Sequence, residues 1–206
     1  MSVSRETLIS TYFGERQKEV ARYAEILATW GIERGLVGPK EGDRIWDRHI
    51  ANCIPVTTLL SNDASLLDIG SGAGLPGIVI ALARPDLKVT LLEPLQRRID
   101  FLEEVVAELG IEITVKRGRA ESFKGGFNFV TARAVAPLPK LATVSWHLVM
   151  GGGSLLAMKG ESAATELEAA RLEAPKVFKK VAKAELHEIQ LGELPLARVI
   201  ELKKAG

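Results

Sequence analysis

One cysteine, Cys53, and three scattered histidines are all that 206 residues offer a soft metal ion. A single thiol closes no intrachain disulfide, and a cysteine–histidine zinc site goes with it, so no metal is expected. No apolar run is long enough to cross a membrane. The opening MSVSRETLIS lacks the basic and apolar regions of a signal peptide. The expectation is therefore a cytoplasmic protein with no membrane partner. Strong charge of either sign is also missing, since the formal net charge is only +1. That mean conceals a split. Residues 63–110 carry four Lys/Arg against eight Asp/Glu, and residues 111–206 carry fifteen against ten. An acidic stretch suits a cationic cofactor, and a basic one suits a phosphate-bearing substrate.

Glycine is concentrated in one place, Leu66-Leu67-Asp68-Ile69-Gly70-Ser71-Gly72-Ala73-Gly74-Leu75-Pro76-Gly77. The run reads as a buried strand, a glycine turn and a helix start, with Pro76 suited to the first helical turn. Such a turn lets a nucleotide-like cofactor approach bare backbone. Sixteen residues beyond Gly77, an apolar strand ends in Glu93, where a carboxylate can hold both hydroxyls of a ribose. Gly72 to Gly77 also spells G-x-G-x-x-G, so a dinucleotide competes. Asp68 argues against it, because a carboxylate at the strand end repels a pyrophosphate and attracts the ammonium and sulfonium of S-adenosylmethionine. A third reading makes the turn a mere strand-to-helix link.

Residues 1–62 read as a helical region. Phe13, Val20, Tyr23, Ala24, Leu27 and Trp30 recur at helical spacing, and a further helix is expected from Asp43 to Asn52. Residues 63–206 alternate, with strands expected at 65–70, 87–92, 111–116, 127–132, 153–158, 180–190 and 196–203. Helices are expected near 76–84, 95–109, 138–149 and 162–174. The alternation implies a doubly wound, mostly parallel α/β sheet packed with the front helices as one globular unit. The last two strands have no helix between them and are expected to pair antiparallel at an edge. Gly125-Gly126 and Gly151-Gly152-Gly153 read as loops.

These segments resemble the RsmG (GidB) family. The resemblance rests on IWDRHIANC in the helical front, then DIGSGAGLPGIVIALARPDL, LLEPLQRRIDFL, GRAE, TARAVAPL and LLAMKG, in that order over nearly the whole chain. It implies a class I S-adenosylmethionine-dependent methyltransferase fold, Rossmann-like, with seven strands, the last antiparallel, after an N-terminal helical extension. It implies transfer of a methyl group to N7 of a guanine in 16S ribosomal RNA. It implies cofactor contacts at Gly70, Leu75, Ala120, Glu121 and Arg133 and supports the ribose role of Glu93, while Gly70, Gly72 and Gly74 are expected beneath the methionine part of the cofactor. Contacts to the RNA are expected from Arg44, Arg48, His49, Arg117, Arg119, Arg133 and Lys159.

Each assignment has a plainer rival. Glu93 can be a strand-end surface charge, Glu121 an acidic helix start, and Arg133 or Lys159 a partner in an ion pair. Arg44 and Arg48 share a helix face and can pair with Asp43 or Asp47. Trp146 reads as core. No His or Cys stands out as catalytic, which suits N7, a nitrogen with no proton to remove. The expected partner is 16S rRNA within the small subunit or an assembly intermediate, met by a monomer. Two other functions remain open: a methyltransferase for a small molecule or protein, and a non-catalytic RNA-binding assembly factor.

Overall fold

The computed structural model describes residues 4–206. Its strands are β1 Ser65–Ile69, β2 Lys88–Glu93, β3 Thr114–Arg117, β4 Phe127–Arg133, β5 Val149–Lys159, β6 Val181–Ile189 and β7 Ala197–Lys204. They form one seven-stranded sheet in the order β3-β2-β1-β4-β5-β7-β6. Strands β1 to β5 pair in parallel, and β7 lies antiparallel to both of its neighbours. This is the seven-stranded arrangement that the resemblance implies. The order reverses between β1 and β4, where the C-terminal ends of parallel strands leave a crevice for ligands.

Helices α4 Gly77–Ala83 and α5 Gln96–Leu109 cover one face. Helices α6 Leu138–Ser145, α7 Ala163–Glu173 and α8 Pro175–Phe178 cover the other. Strand β1 is buried on both sides, so Leu66 joins one core and Leu67 the other. The same double burial makes α4 apolar all round, with Ile78, Val79, Ile80 and Leu82 inside. Helix α5 stops at Gly110, which takes the left-handed conformation at φ 59°. Trp146 packs into the second core, as its spacing predicts.

One expectation needs correction. Gly151 to Gly153 are not a turn between elements but part of β5. The pairing with β4 jumps from Phe127–Val149 to Phe129–Ser154. Glycines absorb the extra residues of this irregularity, which a sequence scan reads as a break. Strand β3 also starts later than expected, at Thr114.

The N-terminal extension comprises α1 Arg5–Tyr12, α2 Gln17–Ile26 and a π turn at Leu27–Gly31. After a loop come helical turns at Pro39–Arg44, a wider π turn at Ile45–Ile50, the short α3 Ala51–Cys53 and a last turn at Pro55–Leu59. Ser4 caps α1 by accepting from the Thr7 N–H at 3.2 Å. Tyr23, Ile26 and Ile50 share their core with Leu66 and Phe101, so the extension packs on the α4/α5 face of the sheet.

Tyr23 is the deepest link between extension and sheet. Its buried hydroxyl donates to the Ala73 carbonyl at 2.8 Å. Replacing Tyr23 with Phe keeps the ring and strands that carbonyl. The expected cost is about 1–3 kcal/mol in urea unfolding, and an unchanged midpoint would show the bond to be idle.

Candidate functional site

The glycine turn is shaped by two buried carboxylates. Asp68, at the end of β1, accepts from the Gly77 N–H at 3.1 Å. Glu93, at the end of β2, accepts from the Gly72 N–H and from the Leu95 N–H, each at 3.1 Å. Arg98 lies 3.5 Å from Glu93, which is 1% exposed. Each Glu93 oxygen thus spends one lone pair on the backbone and keeps another. Gly70 turns at φ 67°, and a Cβ there would stand 2.9 Å from the Val135 side chain.

Two cavities open at the C-terminal edge of the sheet. The first, of about 420 Å³, is lined by Gly70, Glu93, Pro94, Ala120 and Glu121, with Arg119 and Lys140 at its rim. The second, of about 730 Å³, is lined by Arg48, His49, Asn52, Arg133, Lys159 and Arg198. Residues Ala134, Val135 and Ala136 belong to both and form the wall between them. Ala134 holds that wall in a left-handed conformation at φ 56°, a strained position for a residue with a side chain. Lys159 braces it by donating to the Ala136 carbonyl at 2.8 Å while paired with Glu166 at 2.7 Å. Glu166 in turn accepts from the Leu138 N–H at 3.0 Å.

The expected site residues divide accordingly. Gly70, Glu93, Ala120 and Glu121 meet in the smaller cavity. Gly72 stands behind it on Glu93. Gly74 faces away: a Cβ there would strike Ile78, with the Tyr23 hydroxyl 3.0 Å off. Leu75 is buried in the core on the extension's side. Arg48, His49, Arg133 and Lys159 line the larger cavity, so Arg133 stands apart from the other expected cofactor contacts. Arg119 lines the smaller cavity rather than the larger. Arg117 lies outside both, bonded to Gln96 at 2.9 Å, and Arg44 also lines neither. Arg48 pairs with Glu41 at 2.8 Å, not with Asp43 or Asp47.

Sequence reading overlooked Arg198 and Val135. Arg198 reaches the site only because β7 pairs it with Lys159, a contact no linear pattern encodes. Val135 sits inside TARAVAPL, but only the approach to Gly70 gives it a role.

Burial sets the electrostatics. Asp68 is fully buried, and its Oδ1 has no hydrogen-bond partner. Desolvation pushes its carboxyl up to about 7, against the pull of Ser71, Gly77 and Arg133. Asp68 lines neither cavity and shapes the turn through the Gly77 N–H. Burial likewise pushes the Cys53 thiol up to about 11. Elsewhere among the described residues, Glu185, His187 and Glu201 cluster on β6 and β7. Lys183 forms an ion pair with Glu185 there, and Ser154 donates to Glu201.

The comparisons agree with one another. The family profile described as GidB, rRNA small subunit methyltransferase G, matches residues 16–193. A Ribosomal RNA small subunit methyltransferase G from Kineococcus radiotolerans is 51% identical over 166 residues, covering 79% of this chain and 65% of the relative. The chain thus spans just under two thirds of that relative. Another of that name, from Mycobacterium sp. (strain KMS), is 47% identical over 201 residues, 94% of this chain and 88% of the relative. A methyltransferase structure from Pyrococcus furiosus superposes with a TM-score of 0.63 at 15% identity, over 94% of this chain and all of that one. The fold is that of class I methyltransferases.

Asp68 yields a pH prediction. In the folded chain it holds its proton up to about 7, whereas unfolded it loses it near the ordinary 3.8. Between those values the native state binds more protons, so this group's contribution to stability is lost as pH rises from about 4 to about 7. Asp68→Asn should therefore gain stability relative to the parent across that window in urea titrations. A constant difference would place the Asp68 titration at its ordinary value.

Proposed function

The chain belongs to the GidB family of rRNA small subunit methyltransferases G, and we propose that it transfers a methyl group from S-adenosylmethionine to N7 of a guanine in 16S rRNA. The observation that carries this reading is the pair of cavities meeting at Ala134–Ala136. One offers backbone and carboxylate, and the other offers cations. The smaller suits an adenosine: Glu93 keeps lone pairs for two ribose hydroxyls, and Pro94 and Ala120 give flat apolar walls. Gly70 allows passage beneath Val135. Arg119 and Glu121 stand at the rim. The buried Glu93 carboxylate favours a cationic ligand.

S-adenosylmethionine supplies an electrophilic methyl group on a sulfonium. The chain's own contribution is alignment. Guanine N7 carries a lone pair in the ring plane and no proton, so no general base is called for. The wall residues Ala134 to Ala136, braced by Lys159 and Glu166, set the relative position of the two ligands and keep water from the gap. Arg48, Arg133 and Arg198 face the RNA side, where phosphate and base oxygens accept hydrogen bonds.

A-form RNA buries N7 in a deep, narrow major groove, so the target belongs in a loop or a distorted segment. The chain's small net charge gives little grip on naked RNA. The substrate we infer is the small ribosomal subunit or an assembly intermediate, bound by one copy of the chain in the cytoplasm.

Incubation with methyl-labelled S-adenosylmethionine and small subunits should place label in 16S rRNA, at a site cleavable by the chemistry specific for 7-methylguanine. Label in protein or small molecules with none in the rRNA would overturn the reading. Glu93→Ala should weaken S-adenosylmethionine binding by about 1–3 kcal/mol in calorimetry, the loss of charge-assisted bonds. An unchanged affinity would return Glu93 to a structural role on the turn.

A further inference from the structure

Arg133 has an unusual setting for a half-buried cation. Among the described residues no carboxylate lies within ion-pair distance of its guanidinium, although Arg48, Lys159 and Arg198 around the same cavity each have one. Its two side-chain partners are neutral. Nη2 lies 3.1 Å from His49 Nδ1, and Nη1 lies 3.7 Å from the Cys53 sulfur. An arginine can only donate. His49 Nδ1 must therefore be bare and accepting, which leaves the ring's one proton on Nε2. That nitrogen lies 3.1 Å from Glu41 Oε2, a distance suited to donation. Glu41 Oε1 accepts from Arg48 at 2.8 Å. The row runs cation, anion, neutral ring, cation, from the extension's surface into the cavity.

We propose that Glu41 and His49 are positioning residues for methyl transfer: they orient Arg133 in the mouth of the RNA-side cavity through a neutral imidazole, so that its charge is aimed without being cancelled. A carboxylate in place of His49 would hold the guanidinium equally well but neutralise it. The imidazole acceptor leaves the full charge for an oxygen-rich RNA group. The inference rests on the function proposed above and gives the N-terminal extension a task in it.

The arrangement is sensitive to protonation. A second proton on His49 would put an N–H and a positive charge against Arg133. Burial holds the His49 titration below its ordinary value, Arg133 lowers it further, and Glu41 opposes both. The charged or titratable groups around the ring are Glu41 and Arg48 from the extension, Arg133 from β4, and Cys53 behind Arg133. As pH falls through the lowered value, the contact breaks and turnover declines.

Two measurements on the full chain test this. Nitrogen-detected NMR of the His49 ring should find the proton on Nε2 and a titration below about 6.5, rising when Arg133 is replaced by Met. A proton on Nδ1, or a titration indifferent to Arg133→Met, would overturn the proposal whatever the substrate. Methyl transfer to small subunits should then fall on the acid side for the parent. His49→Asn, whose carbonyl oxygen can accept from Arg133 but not protonate, should keep about a third or more of parental turnover at neutral pH and lack the acid limb. His49→Leu should lose about tenfold or more, equivalent to about 1.4 kcal/mol, while its melting temperature and S-adenosylmethionine affinity stay near parental. An Asn profile that superimposes on the parent's, an Asn variant no better than Leu, or a Leu variant within about twofold of the parent would each overturn it. A parent that labels no rRNA would instead remove the proposed function and leave the NMR result standing.

Discussion

The Asp68 carboxylate accepts from the Gly77 N–H and is otherwise sealed from water, and that contact ties the end of β1 to the start of α4. The glycine turn between them has little freedom left. Its flank is fixed by Glu93 on the Gly72 N–H, and its crown by Tyr23 on the Ala73 carbonyl. Three elements distant in sequence therefore converge on one loop of backbone. A buried acid with an orphaned oxygen is costly to fold around. Desolvation limits that cost by raising the Asp68 titration to about 7, so that the group keeps its proton below that value.

The surroundings of Asp68 reach beyond the turn. Arg133 emerges from β4 on the side of the sheet that Asp68 faces, within its electrostatic reach. Cys53 and Tyr23 lie within electrostatic reach of both, and burial raises the titration of each.

Much of this architecture is written in the sequence because its physics is local. Buried parallel strands must be apolar runs, so β1, β2 and β4 are visible by composition alone. The glycine turn and Glu93 are visible because a cofactor that touches backbone needs bare backbone at fixed spacing from a strand-end acid. The remainder depends on contacts that no spacing records. Gly151 to Gly153 mimic a turn, since an irregular strand and a loop ask the same freedom of glycine. Arg48 finds Glu41, seven residues back in the preceding helical turn, a pairing that helical spacing does not suggest. Gly74 belongs to the motif but serves Tyr23 and Ile78, and its role could be read only after the extension had been placed. Lys159 looks like a free cation at a strand end, yet Glu166 and the Ala136 carbonyl already occupy it.

Under the proposed function, those internal partners bear on how the larger cavity would meet RNA. Arg48, Lys159 and Arg198 each carry a carboxylate in the free protein, and a phosphate that claims any of them must first displace Glu41, Glu166 or Glu188. Exchange of one anion for another in partly exposed surroundings yields little net energy. Affinity for an arbitrary phosphate backbone is then low, which fits the chain's near-neutral charge. Arg133 differs because it has no anion to give up. An acceptor that reaches past the wall at Ala134–Ala136 meets an uncancelled charge, whereas one that stays at the rim meets only exchange. Selectivity in such a site comes from depth: a base flipped into the cavity gains what a passing phosphate cannot.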